Sequence, residues 1–132
     1  MVVEPGGKHI ILECDGINST SLRDESYLRK ILEDSAKLVN ATILFSHFHH
    51  FGGDYGITGL IMLAESHISI HTWPEANYAS IDIFMCGACD SHICANKIIE
   101  LFDIKSYKMY VIQRESSHEN PYTNAPIFPL YG

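Results

Sequence analysis

Apolar residues recur along this chain at two spacings. Over 78–85, Ala79, Ile81, Ile83 and Met85 alternate with Ser80, Asp82 and Phe84, a period of two that predicts a strand. Over 24–40, Leu28, Ile31, Leu32, Ser35, Leu38 and Val39 return at three- and four-residue steps, with Arg29, Lys30, Glu33, Asp34 and Lys37 between them. That is an amphipathic helix, stopped at Asn40. Gly6-Gly7 opens a first strand at 8–14, carried by His9-Ile10-Ile11-Leu12 and closed by a turn at Asp15-Gly16. A second strand, 41–48, runs into His47-Phe48-His49-His50-Phe51. A glycine-rich loop at 52–56 leads to a third strand at 57–64. A second helix starts with Asp90 or Ser91 as its N-cap and ends near Asp103, and 108–114 closes the sheet. The order β-α-β-β-β-α-β predicts an α+β fold, a two-layer sandwich of one antiparallel sheet with both helices on one face. The other sheet face then needs a cover.

One stretch breaks the pattern of an ordinary core strand. After the apolar run 57–64, Glu65, His67, Ser69 and His71 alternate with Ser66, Ile68 and Ile70, up to Pro74. The period is still two, with His67 and His71 on one face and Ser66 on the other. Polar groups at this density cost free energy to bury unless each is bonded or paired, so the segment is either a solvated edge or a place of chemistry.

The 132 residues, 46% of them hydrophobic, fit a single domain over 1–114 followed by a loose tail at 115–132. A net charge of −7 argues against nucleic acid or an anionic membrane surface as partner. No apolar run approaches the roughly 18 residues of a membrane span, and the N-terminus has no signal-peptide layout, so a cytoplasmic protein is expected. Four cysteines in a chain of this length are expected to be free thiols.

Glu65-Ser66-His67 through His71-Thr72-Trp73-Pro74-Glu75 resembles, residue by residue, the self-cleavage segment of the small prokaryotic S-adenosylmethionine decarboxylases, and the likeness extends over about 8–114. The resemblance implies a processing reaction in which Ser66 attacks the carbonyl of Glu65, the ester breaks by β-elimination, and the new N-terminus hydrolyses to a pyruvoyl group with loss of ammonia. The chain is thereby divided into 1–65 and 66–132. By the same resemblance, His71 assists by proton transfer, a task suited to a side-chain type that titrates near neutrality. The resemblance also implies that Thr58, in a Gly-Ile-Thr-Gly stretch, supports processing by polarising the scissile carbonyl. The pyruvoyl group that the family uses forms a Schiff base with the substrate amine and acts as electron sink. The resemblance makes Cys86 the catalytic proton donor. It also assigns Glu75 to the ribose diol, and sets Phe51 and Trp73 against the adenine or the sulfonium. The implied assembly is a homodimer, and the implied product, decarboxylated S-adenosylmethionine, serves spermidine and other polyamine biosynthesis.

Three rival readings come from the residues themselves. The loop Phe51-Gly52-Gly53-Asp54-Tyr55-Gly56 is about one residue longer than the family form and lacks its proline. Asp54 adds a carboxylate able to pair with a distal amine, which makes ornithine or arginine the alternative substrate. Cys86, Cys89 and Cys94 with His47, His49, His50 and His92 invite a zinc reading. Cys86-x-x-Cys89 supplies only half of a tetrahedral set, so no metal is expected. A non-catalytic partner subunit is the most distant reading, since Ser66, His71 and Cys86 are all present.

Overall fold

The computed structural model describes residues 5–116 and 128–131. Its strands are β1 (Gly7–Asp15), β2 (Ile43–His50), β3 (Ile57–Leu63), β4 (Ser66–Trp73), β5 (Tyr78–Cys86), β6 (Ser106–Arg114) and β7 (Phe128–Tyr131). The helices are α1 (Glu25–Leu38) and α2 (Ser91–Phe102), and short 3-10 turns occupy Ser21–Arg23 and Pro74–Ala76. The strands form one sheet in the order β2-β3-β4-β5-β1-β6-β7, with every pairing antiparallel.

The helices begin where the sequence supplies caps. Asp24 accepts from the Tyr27 N–H at the start of α1, and Asp90 accepts from the His92 and Ile93 N–H groups at the start of α2. Both helices lie on the same face of the sheet: α1 packs on β2 and β3, α2 on β1 and β5, and the two touch each other. Leu28, Leu32, Cys94 and Ile98 interlock there with Ile10, Leu12, Ile61, Ile68, Ile70, Ile81 and Ile83, all fully buried. Among the described residues, no helix covers the opposite sheet face. It carries Phe45, Leu60 and Met62 at about half exposure, beside His67, Ser69, Asp82 and Phe84.

The two-layer architecture agrees with the sequence reading, with one correction to the strand count. Four strands lie between the helices, because 57–64 and the polar segment are the two arms of a hairpin. The turn between them is Ala64-Glu65, bracketed by the pair Leu63↔Ser66. It holds neither glycine nor proline, so the usual turn signal is missing. In the expected C-terminal tail, 117–127 lie outside the described residues, while Phe128–Tyr131 pair with β6 and extend the sheet.

Candidate active site

The Ala64-Glu65 turn is unusual in its backbone. Glu65 has φ 61°, in the left-handed region that a residue with a Cβ occupies at a cost of roughly 1 kcal/mol. A two-residue hairpin is favoured when its first loop residue also has positive φ, and Ala64 does not. The Ser66 hydroxyl points back over this turn and donates to the Ala64 carbonyl at 3.3 Å. The β4–β5 register pairs His67 with Phe84, so Ser66 and Cys86 lie one and two residues beyond that pair on neighbouring strands. The turn and the end of β5 thus bring Glu65, Ser66 and Cys86 to one end of the sheet.

His71 is at the other end. It faces Thr58 across the β3–β4 ladder, and Thr58 Oγ1 lies 3.0 Å from His71 Nδ1 in a hydrogen bond. These two line a depression of about 540 Å3 together with Phe51, Tyr55, Gly56, Ile57, Thr72, Trp73 and Glu75. Trp73 stacks on Tyr78 with ring centroids 5.1 Å apart, and its ring lies 6.4 Å from that of His71. Phe51 meets His49 edge-on at 4.7 Å. Five of the residues singled out in the sequence (Phe51, Thr58, His71, Trp73 and Glu75) therefore share one pocket.

A buried hydroxyl holds this end together. Thr72 donates to the Leu22 carbonyl at 2.6 Å and accepts from the Ile57 N–H at 2.9 Å, joining β4, the start of β3 and the Ser21–Arg23 turn behind the pocket. Gly56 is required here, because a Cβ would collide with the Thr72 carbonyl oxygen. Asp54 is not among the pocket's lining residues. It is almost fully exposed, and its carboxylate meets the Arg23 guanidinium at 3.2 Å.

The uncovered face between the two ends holds a polar cluster. His9 Nε2 lies 3.1 Å from Asp82 Oδ1, and the Ser69 hydroxyl donates to Asp82 Oδ2 at 3.3 Å. His67 leans on His9 and Phe84, and burial, reinforced by the neighbouring His9, lowers its pKa below the ordinary histidine value. Burial pushes the Cys14 and Cys94 thiols up to about 12, which makes both inert core residues. Among the described residues, no three His, Cys, Asp or Glu side chains gather as a metal site.

Sequence reasoning did not find Tyr55, Thr72, Tyr78 or Arg23. An aromatic residue at the tip of a glycine-rich loop was the one available signal, for Tyr55. Thr72 and Arg23 act through contacts between segments far apart in the chain, and Tyr78 through its stacking on Trp73 on the neighbouring strand.

Residues 8–115 match the family model described as S-adenosylmethionine decarboxylase. The chain belongs to the S-adenosylmethionine decarboxylase family. It is similar to the S-adenosylmethionine decarboxylase proenzyme of Thermodesulfovibrio yellowstonii, with 40% identity over 116 residues, covering 86% of this chain and 85% of that relative. It is 51% identical over 81 residues to the proenzyme of Synechococcus sp. strain WH7803, covering 61% of this chain and 62% of the relative. The crystal structure of the adenosylmethionine decarboxylase from Aquifex aeolicus VF5 superposes with a TM-score of 0.78 at 31% identity, covering 91% of this chain and 99% of that one. Among the described residues of this family member, no helix is long and apolar enough to cross a membrane.

Proposed function

We propose that the chain is the precursor of a self-processing, pyruvoyl-dependent decarboxylase of S-adenosylmethionine. The observation that carries this reading is the single pocket containing Phe51, Thr58, His71, Trp73 and Glu75, in a member of a family whose relatives bear that name. A carboxylate beside aromatic walls suits a ligand that has a vicinal diol, a flat heterocycle and a cationic sulfur. The relatives do not favour the ornithine or arginine reading, and Asp54, its main support, is engaged by Arg23 outside the pocket. The non-catalytic reading has against it the presence of Ser66, His71 and Cys86 together.

The residues at the turn fit a self-generated pyruvoyl group. Ser66 opens β4, Glu65 before it is exposed and held at positive φ, and Cys86 ends the adjacent strand. Attack of the Ser66 hydroxyl on the Glu65 carbonyl carbon exchanges the amide bond for an ester. Removal of the Cα proton of residue 66 then expels the Glu65 carboxylate, and hydrolysis of the resulting enamine releases ammonia. A pyruvoyl ketone supplies an electron sink for loss of carbon dioxide from an α-amino acid. The Cys86 thiol is the proton source next to it.

The working unit in this reading is a two-fold homodimer. Ser66 and His71 are five residues apart on one strand, about 16 Å at 3.3 Å per residue, so His71 does not reach the serine of its own chain. A two-fold axis lying between two uncovered sheet faces and running across their strands sets the Ser66–Cys86 end of one copy against the Thr58–His71 end of the other. The half-exposed Phe45, Leu60 and Met62 are covered by the same contact.

The deciding assay measures carbon dioxide release from S-adenosylmethionine, ornithine and arginine with the processed enzyme. Turnover of S-adenosylmethionine alone is expected. Turnover of either diamino acid with none of S-adenosylmethionine overturns the reading.

A further inference from the structure

We propose that Tyr55 is a further specificity-determining residue, the outer wall of the pocket that stacks on the flat adenosyl end of the substrate. This rests on the reading of the pocket given above. A tyrosine left 70% exposed at a loop tip forgoes the burial that ordinarily stabilises it, yet here it lines the pocket with Phe51 and Trp73.

The loop is built to hold it there. The Tyr55 N–H donates to the Gly52 carbonyl at 2.9 Å, and His50 Nε2–H donates to the Tyr55 carbonyl at 3.1 Å. Both backbone polar groups of Tyr55 are thereby fixed. The Phe51 N–H closes the loop on the Gly56 carbonyl at 3.1 Å, and Gly52 and Gly53 supply the positive φ values of 96° and 50° that the tight turn needs. Asp54 next to it is almost fully exposed, meets Arg23 on the surface and does not line the pocket. Discrimination at this end then comes from aromatic surface: a purine offers Tyr55 a face to stack on, and the alkyl chain of a free diamino acid offers none.

Two measurements test this. The first compares KM and kcat for S-adenosylmethionine in wild type, Tyr55→Ala and Tyr55→Phe. The second titrates each protein with methylthioadenosine, which has neither the amine nor the carboxylate needed for reaction, and monitors the fluorescence of Trp73, the chain's only tryptophan. Tyr55→Ala is expected to raise KM and the methylthioadenosine Kd by about tenfold, with kcat and self-cleavage within about twofold of wild type. Tyr55→Phe is expected to retain wild-type binding. A Tyr55→Ala protein with KM and Kd within about twofold of an active wild type overturns the inference alone. A wild type that binds no methylthioadenosine and releases no carbon dioxide from S-adenosylmethionine overturns the reading of the pocket and this inference with it.

Discussion

Ser66 and His71 stand at opposite ends of β4 and, an odd number of residues apart, take opposite sides of the sheet. With about 16 Å of extended chain between them, the proposed processing reaction draws its serine and its histidine from two copies. Ser66→Ala and His71→Ala are each expected to remain uncleaved alone. Co-expressed, the His71→Ala chain should be cleaved, because its intact Ser66 then faces the intact His71 of the other copy. No cleavage above the level of His71→Ala alone would mean that the histidine acts within its own chain.

Cys86 ends β5 beyond the His67↔Phe84 pair and takes no part in the Thr58–His71 hydrogen bond. Cys86→Ala is accordingly expected to process at the wild-type rate but to decarboxylate about 100-fold more slowly. A larger share of its turnovers should end in transamination of the pyruvoyl group. Steady-state rates together with the mass of the 66–132 fragment after turnover read both effects. Wild-type turnover would remove Cys86 from its role.

Removing the Thr72 hydroxyl unpairs the Ile57 N–H and the Leu22 carbonyl in a buried position. Thr72→Val should lower stability by about 1–3 kcal/mol in urea unfolding, and Thr72→Ser by clearly less. The valine variant should also weaken substrate binding, since the same hydroxyl fixes the pocket floor. Equal stabilities for the two variants would contradict this.

Much of the fold was legible because burial imposes periodicity. The alternation in 78–85 and the three-four spacing in 24–38 correspond to the buried faces of β5 and α1. The hairpin turn was not legible, because Ala64-Glu65 adopts its conformation under the demands of the two strands and without turn-forming residues. Five residues of the pocket, Phe51, Thr58, His71, Trp73 and Glu75, were found through their likeness to a family. The separation of Ser66 from His71 follows from the rise of the strand, since five residues of extended chain span too far for direct contact. The Asp54–Arg23 pair and the Thr72–Leu22 bond join segments 31 and 50 residues apart in sequence, and no local pattern announces them.

His67 predicts a pH dependence of stability. Its folded-state pKa lies below 6.5, through burial first and then the positive neighbours His9 and Arg114, with Asp82 pulling the other way. As pH falls through about 6.5, the unfolded chain takes up a proton at this position before the folded chain does, so stability is lost on acidification down to the lowered value. His67→Gln should flatten this part of the profile. Urea midpoints at about pH 7.5 and about pH 5.5 provide the check, and an unchanged acid loss in the variant would assign it to other groups.

The most direct test is the intact mass of the purified chain after incubation at neutral pH. Conversion of the 14.9 kDa precursor into a fragment ending at Glu65 and a fragment 66–132 bearing an N-terminal pyruvoyl group is predicted, with Ser66→Ala remaining whole. A wild-type chain that stays whole through long incubation, or that breaks at any other bond, would contradict self-processing at Ser66.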